Sequence, residues 1–206
     1  MPLSDFLYRC PSCGATPTVA EGNTARCPCC RASYRPGQGG GLILEHSADG
    51  SRRAVPAAEL AREMAAQGGP GPITERGTSF RETRVRFRQA IREDAIRYQG
   101  RLLGFAERFD APEEGTLRLD PIHLRILPAG RKGNVELTWA LEDIQAIQAS
   151  SSSIQYSPAA GGVVLLRFLD ESPRKWDDLL RAALQERWDA LGRGSIAEFQ
   201  PRIRVQ

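Results

Sequence analysis

The chain has 206 residues, of which 41% are hydrophobic and 26% are charged, and its formal net charge is +3. This composition is ordinary for a globular protein of one or two domains, and the charge is too small to indicate a polyanionic partner by itself. The longest apolar run, Val163–Leu166, is far short of the about 20 residues that span a bilayer, and the first residues lack the pattern of a signal peptide. We therefore expect a soluble cytoplasmic protein.

Two Cys-x2-Cys pairs mark the N-terminal segment, where all five cysteines lie. A structural zinc site takes four tetrahedral thiolate or imidazole ligands, and one Cys-x2-Cys turn supplies two of them. A disulfide framework is disfavoured because five is odd and cytosolic thiols stay reduced, and an iron–sulfur cluster because the ferredoxin spacing is missing. The spacing predicts one structural Zn²⁺ held by Cys10, Cys13, Cys27 and Cys30, with Cys29 as a spare thiol at the tip of the second turn.

The residues around these pairs favour a small hairpin between two metal-binding turns. Gly14 allows the backbone to fold under the sulfurs of the first turn, and we expect residues 16–19 and 23–26 to pair as a hairpin. With these features the segment resembles a zinc ribbon over about residues 5–48. Zinc ribbons bind nucleic acid, hold a protein partner or only stabilise a short chain, and we favour the last of these roles here.

Two glycine- and proline-rich stretches, residues 36–41 and 67–72, punctuate the chain. Such stretches are typical of turns and linkers. They divide the sequence into a zinc ribbon (1–48), a bridging helix and linker (49–75) and a main body (76–206).

The bridging piece follows the apolar run Leu42–Leu44. Asp49-Gly50 is a hairpin signal, and a short helix is expected to begin after Pro56, with Leu60 and Met64 on one face. We expect this piece to pack on the cysteine module.

The main body is predicted to be rich in strands. Ile96–Gly104 alternates as one half-buried strand, a less distinct strand surrounds Val85 and Phe87, and Val163–Leu169 is the most hydrophobic and therefore the central strand. The other predicted strands are 117–119, 122–126, 135–139, 144–148 and 154–156.

An amphipathic helix over residues 172–191 is predicted to close the main body, followed by an extended tail. Ser172 is a suitable N-cap, Pro173 suits the first helical position, and Gly192 suits the position after the last turn. Between them, apolar residues recur every three or four positions from Trp176 to Leu191, so the helix carries one apolar stripe.

This order of elements resembles a pleckstrin-homology (PH) or GRAM-type domain over about residues 96–191. The resemblance implies a mainly-β (α+β) fold, with a bent antiparallel seven-stranded sheet or barrel capped by the C-terminal helix. PH-type domains bind protein partners or membrane phosphoinositides. The residues that carry the resemblance are Gly115–Asp120, His123–Leu127, Trp139 before Leu141–Ile144, Val163–Leu169 and Ser172–Leu191.

Lipid-binding PH-type domains have lysine and arginine in the loop after their first strand. Here we assign that loop to Asp110–Gly115, which is acidic, and Arg131-Lys132 is a weak substitute. A protein partner is therefore favoured over a phosphoinositide, and peripheral membrane association stays open. A zinc ribbon before a PH-like body is also similar to accessory regions of some bacterial glycerophospholipid acyltransferases, which would make this chain a regulatory part.

The sequence offers little for catalysis. His46 and His123 are its two histidines, and Asp49 follows His46 by three residues, one residue too close for the acyltransferase motif of a histidine followed four residues later by an aspartate. No nucleophile elbow or phosphate-binding glycine loop is present, and the adjacent acids Glu113-Glu114 and Asp177-Asp178 are interpreted as solvated surface. We expect a chain that is not an enzyme.

Two functions are compatible with this pattern. The first is a non-catalytic adapter or regulatory protein that binds a protein partner, at a membrane surface or in lipid metabolism. The alternative is a nucleic-acid-binding zinc ribbon that uses the segment Arg76–Arg101, which has eight arginines against three acids. In that segment Arg84, Arg86 and Arg88 would share one face of a strand, opposite Val85 and Phe87.

Overall fold

The computed structural model describes residues 3–16, 18–45, 50–67, 80–130, 135–150, 152–194 and 197–198. Contacts divide the chain into two units, one formed by residues 1–72 and 174–179 and the other by residues 73–173 and 180–206. Within the described ranges, every helix is too short or too polar to cross a membrane.

The first unit is built on an antiparallel sheet of five strands in the order β1-β2-β3-β4-β5. The turn at Gly22, with a positive φ of 61°, joins the first two strands as a hairpin. The second predicted arm, residues 23–26, overlaps β2, whereas the first, residues 16–19, shares only Val19 with β1. The elements are α1 (Leu3–Phe6), β1 (Val19–Glu21), β2 (Thr24–Arg26), β3 (Ser33–Pro36), β4 (Gly41–Glu45), β5 (Arg52–Pro56) and α2 (Ala57–Ala66).

The bridging piece is part of the same sheet and core as the cysteine segment. Strand β5 pairs with β4, and Leu60 and Met64 of α2 are buried in one cluster with Cys10 and Cys27. The packing expected for this piece is therefore confirmed. Asp49 of the predicted hairpin lies outside the described residues, while Gly50 has a φ of 65°.

The second unit contains a nine-stranded sheet whose path is β10-β9-β8-β6-β13-β12-β11-β14, with β7 paired to β6 alone. All pairs are antiparallel except β11 with β14. Its strands are β6 (Arg81–Tyr98), β7 (Arg101–Phe109), β8 (Glu113–Leu119), β9 (His123–Pro128), β10 (Leu137–Ala140), β11 (Ile144–Ala149), β12 (Ile154–Pro158), β13 (Val164–Phe168) and β14 (Ala197–Glu198). Helix α3 (Pro173–Ala190) belongs to this unit except for residues 174–179, which are assigned to the first unit.

Strand β13 lies inside this sheet, between β6 and β12, as its hydrophobicity predicts. Helix α3 begins at Pro173 and is followed by Gly192 at a φ of 66°, which confirms both predicted ends. The predicted apolar stripe is buried at Trp176, Leu180 and Leu184.

The expectation of one strand over Ile96–Gly104 is wrong. Gln99 and Gly100 both have positive φ, of 49° and 80°, and form the two-residue turn of a hairpin between β6 and β7. Each strand of a hairpin alternates by itself, so the period-2 pattern continues through the turn. The described ladders of β6 with β8 and β13 end at Phe87 and Gln89. The N–H of Ala90 still donates to the Val163 carbonyl, and beyond Ala90 the described ladder of β6 is with β7. We call residues 90–109 of this hairpin the ribbon, which is a different element from the zinc ribbon expected over residues 5–48.

The first strand of the sheet is therefore β6. The ribbon is the segment that follows the pairing of β6 with β8 and β13. The acidic residues expected in that loop are placed differently, because Glu113 and Glu114 already belong to β8 and only residues 110–112 connect β7 to it. Glu114 is paired with Arg86 at 2.6 Å.

Gly115 provides a test of the close approach between β8 and β9. A Cβ atom at this position would lie 2.6 Å from the carbonyl oxygen of Leu127, a backbone atom that cannot move aside. We expect Gly115→Ala to destabilise the protein by about 1–3 kcal/mol in urea unfolding followed by tryptophan fluorescence. Gly130→Ala is the matched control, since a Cβ there meets no atom within 4 Å and should change stability by less than about 0.5 kcal/mol. Equal stability of the two variants would contradict the described register.

Candidate metal centre

The two Cys-x2-Cys segments fold into turns of the same design. In the first turn the N–H of Cys10 donates to the carbonyl of Ala15 and the N–H of Gly14 donates to the carbonyl of Cys10, both at 2.8 Å. The second turn repeats both bonds at Cys27, at 2.9 and 3.0 Å. Each turn therefore presents its two sulfurs from a backbone loop that is closed by its own hydrogen bonds.

The residue after the second cysteine of each turn has a left-handed conformation. Gly14 has a φ of 74°, as the sequence predicts for a backbone that folds under the sulfurs, and Arg31 occupies the equivalent place with a φ of 61°. For a residue with a Cβ this conformation costs about 1–2 kcal/mol. The backbone of the second turn is therefore strained at Arg31, whereas glycine lets the first turn adopt the same conformation without this strain.

The four predicted cysteines converge. The Sγ atoms of Cys10, Cys13, Cys27 and Cys30 all lie within 4.8 Å of one another. Cys10 Sγ is 3.6 Å from Cys30 Sγ, and Cys13 Sγ is 3.6 Å from Cys27 Sγ, so each contact joins the two turns.

These separations fit a shared metal ion. Sulfurs placed about 2.3 Å from one ion at tetrahedral corners are about 3.8 Å apart, whereas a disulfide needs about 2.05 Å. All four cysteines are free thiols. The geometry therefore provides a candidate four-sulfur metal site.

Burial makes this site dependent on a cation. Burial raises the pKa of Cys10 and raises the pKa of Cys30 to about 12, while a hydrogen bond from the Ala15 backbone lowers the pKa of Cys13 to about 7. Without a cation the buried thiols hold their protons, and a metal ion must displace them. Metal affinity is therefore expected to fall as the pH is lowered.

Tyr34 supports the cluster from β3, and the sequence analysis missed it. Its side chain is fully buried, and its hydroxyl lies 3.3 Å from Cys10 Sγ and 2.8 Å from Ser12 Oγ. Burial raises the pKa of Tyr34, so the hydroxyl keeps its proton and can donate to a thiolate. A tyrosine four residues after the last cysteine is the only signal in the sequence, and the spacing of the cysteines gives no reason to select it.

Cys29 differs from the other four cysteines. It does not belong to the group of converging sulfurs, and its side chain is exposed, as that of Cys13 is. The neighbouring Cys13 sulfur raises its pKa through charge repulsion.

The other residues considered for chemistry do not form a second cluster within the described part of the chain. His123 is half-buried, its Nδ1 is 3.2 Å from Arg125 Nη2, and its backbone N–H donates to Asp120 in a turn. Asp177, expected as solvated surface, is only 3% exposed and lies 4.0 Å from Arg174. His46 and the Arg131-Lys132 loop lie outside the described residues.

The arginine face predicted on the first strand is present. Val85 and Phe87 are buried, while Arg84 and Arg86 are exposed on the other side. Arg84 contacts both carboxylate oxygens of Asp170, at 2.6 and 2.7 Å, and Arg88 donates to the backbone carbonyl of Asp110 at 2.7 Å. Together with the bond between Arg86 and Glu114, these contacts leave little of the face for phosphates.

Neither models of known protein families nor curated proteins match this chain. The PH-type and acyltransferase resemblances therefore gain no support from relatives, and what the structure adds is the four-sulfur site and a mainly-β architecture.

The role of Tyr34 can be tested with Co²⁺ as a spectroscopic probe of thiolate ligation. We expect Tyr34→Phe to lower the affinity for Co²⁺ by about tenfold in competition with a chelator, because the Cys10 sulfur loses a hydrogen-bond donor. Tyr156→Phe is the matched control, since it removes a buried hydroxyl that has no partner among the described residues and lies outside the first unit. If both variants bind Co²⁺ as the wild type does, Tyr34 has only a packing role.

Proposed function

We propose that this chain is a non-catalytic adapter or regulatory protein that binds a protein partner. In this proposal the first unit is a zinc ribbon and the second is a PH-like domain. The observation that carries the proposal is the ribbon of the second unit (residues 90–109). Among the described side chains of its turn region, Tyr98 is 63% exposed, Leu102 49% and Ile96 46%. Tyrosine and arginine are among the side chains most enriched at the centres of protein interfaces, and Arg97 and Arg101 lie in the same turn region.

The proposed ion in the first unit is Zn²⁺. An all-sulfur tetrahedral site selects zinc or an iron–sulfur cluster, and the spacing of these cysteines lacks the ferredoxin pattern. Zn²⁺ would cross-link the two cysteine turns and neutralise their thiolates, which is a structural task. The cysteines keep reduced thiols only in a reducing compartment, so a cytoplasmic location is part of the proposal.

The strand order supports the PH-like assignment of the second unit. Strands β6, β8, β9 and β10 follow one another as neighbours, and β11, β12 and β13 form a second series that joins the first at β6. These seven strands are antiparallel and are followed by α3, which is the order that the resemblance implies. The ribbon is then the connection after the first strand.

This placement changes the argument about anionic ligands. The connection after the first strand has Arg97 and Arg101 at its tip, and the acidic segment 110–115 does not form that tip. Repulsion by that segment is thus no reason against an anionic surface, and binding to membranes becomes a matter for experiment. Four large apolar side chains are exposed among the described residues of the ribbon, which include Ile91, and they still favour a protein over a phosphate-rich partner.

The nucleic-acid alternative has less support. Its arginine face is occupied by contacts to Asp170, to Glu114 and to a backbone carbonyl. Affinity for nucleic acid comes largely from cations that neutralise phosphates, and an arginine that is already paired must first lose its partner. By themselves, Arg97 and Arg101 at the tip of the ribbon would neutralise too few phosphates for tight binding.

The zinc assignment predicts a contrast between two neighbouring cysteines. Purified wild type should contain one zinc per chain by elemental analysis, and Cys27→Ser should lose it, with loss of the first unit's strand signal in circular dichroism. Cys29→Ser should retain the full zinc content, because this exposed thiol lies outside the four-sulfur group. Loss of zinc from Cys29→Ser and not from Cys27→Ser would refute the ligand set.

The binding proposal predicts that partner capture depends on the ribbon. Quantitative affinity capture from native extract should recover a stoichiometric protein with wild type and with Val135→Ser, an exposed apolar residue at a different position that serves as the control. The double variant Ile96→Ser/Tyr98→Ser should lose it. Recovery of nucleic acid in place of protein, released by high salt, would instead support the alternative.

A further inference from the structure

The five cysteines of the first unit differ in their access to solvent. All five lie in the described part of the chain, where Cys13 and Cys29 are exposed, Cys30 is half-buried, and Cys10 and Cys27 are buried. Oxidation of thiols follows their accessibility. A dissolved oxidant would therefore meet the four-sulfur site first at Cys13, one of its converging sulfurs, and beside it at Cys29, which is not one of them.

Cys13 and Cys29 are neighbours across the two cysteine turns. The sulfurs of Cys13 and Cys27 are 3.6 Å apart. Cys29 follows Cys27 by two residues in the second turn, so their Cα atoms are at most about 7 Å apart. The Cys29 thiol also donates a hydrogen bond to the Cys13 sulfur. A small movement at the tip of the second turn is therefore enough to join these two sulfurs.

The sulfur of Cys29 has no task in a metal-loaded site. A structural zinc site is complete with four ligands, and the four converging cysteines supply them without Cys29. If Cys13 were oxidised, a second ligand could attack it only after leaving the ion, whereas Cys29 could attack it directly. The second turn therefore places a resolving thiol, one that attacks an oxidised cysteine, beside the exposed sulfur of the site.

We propose that Cys13 and Cys29 are a peroxide-sensitive pair whose disulfide releases the metal ion from the first unit. The Cys13 thiolate attacks hydrogen peroxide, so that an S–O bond forms, the O–O bond breaks, hydroxide leaves and a sulfenic acid results. The Cys29 sulfur then attacks the Cys13 sulfur, an S–S bond forms, and the S–O bond breaks with loss of a second hydroxide. The two hydroxides take up two protons and leave as water, and the two electrons that reduce the peroxide come from the two sulfurs.

Oxidation of Cys13 removes one of four ligands. A disulfide sulfur carries no negative charge, so the affinity for Zn²⁺ falls. Because the ion cross-links the two turns, its release loosens the core in which Cys10 and Cys27 pack with Leu60 and Met64. This inference rests on the Zn²⁺ of the proposed function, and it adds control of the first unit by peroxide. A reducing compartment would restore the thiols and the site.

The first test follows zinc and disulfides together in the purified, zinc-loaded chain. Hydrogen peroxide is added in molar excess, released zinc is measured with a chromophoric chelator, and the remaining thiols are alkylated at intervals. Trypsin cuts after Arg9, Arg26 and Arg31, so the first Cys-x2-Cys pair lies on one peptide and the three later cysteines on another. Tandem mass spectrometry then assigns the joined cysteines. We expect the first disulfide to join Cys13 to Cys29, with zinc released in step.

The second test uses Cys29→Ser, which removes the resolving thiol and none of the four converging sulfurs. This variant should release zinc at least about tenfold more slowly than wild type at the same peroxide concentration. Its Cys13 should accumulate as sulfenic or sulfinic acid. Val135→Ser, an exposed residue outside the first unit, is the control and should match wild type. Dithiothreitol and Zn²⁺ should restore the zinc content of oxidised wild type, because a disulfide is reversible.

The outcomes separate the inference from the function on which it rests. The zinc content before oxidation tests the proposed ion, and the disulfide map tests the inference. A zinc-loaded chain whose first disulfide joins two of the four converging cysteines overturns the inference and leaves the proposed ion intact. Release of zinc from Cys29→Ser as fast as from wild type has the same meaning. A chain that neither contains zinc when purified nor takes it up afterwards overturns both.

Discussion

The register of β6 is the constraint on which the second unit depends. This strand pairs with β8 on one side and with β13 on the other, so it joins the two series of strands into one sheet. Val85 and Phe87 point into the core while Arg84 and Arg86 point outward to Asp170 and Glu114. A slip by one residue would bury the arginines and expose the apolar pair, and it would break ion pairs on both sides of the strand. Packing and charge thus select the same register.

The first unit depends on a different constraint, which is the charge of its sulfurs. Cys10 and Cys27 are fully buried in the core that also contains Leu60 and Met64, so their thiolates have little access to water. Burial disfavours the charged form of each thiol, and only a bound cation or strong donors can reverse this. The Tyr34 hydroxyl is one such donor for Cys10. Strands β4 and β5 pack around the same core, which makes the bridging piece part of the metal-dependent unit.

Prediction from sequence succeeded where one local rule decides the outcome. The spacing of the cysteines identified four sulfurs that converge, and the ends of α3 followed from Ser172-Pro173 and Gly192. It failed at Ile96–Gly104, because alternation has the same period on both sides of a hairpin turn and Gln99 is an unusual residue for a positive φ. It also missed Tyr34, whose contacts with Cys10 and Ser12 join segments that are distant in the sequence, and the burial of Asp177.

The arginine-rich segment illustrates why residue density is a poor guide to a binding surface. Eight arginines lie between Arg76 and Arg101, yet Arg84 and Arg86 of β6 are held by carboxylates from neighbouring elements. Their role is to fix register, and an exposed pair of this kind contributes little to stability or to recognition. In the ribbon the balance differs, because Arg97 donates to the carbonyl of Gly100 and no carboxylate of the described residues pairs with Arg101. A recognition surface combines cationic groups that lack carboxylate partners with exposed apolar side chains. Within the described residues of this segment, the tip of the ribbon has both.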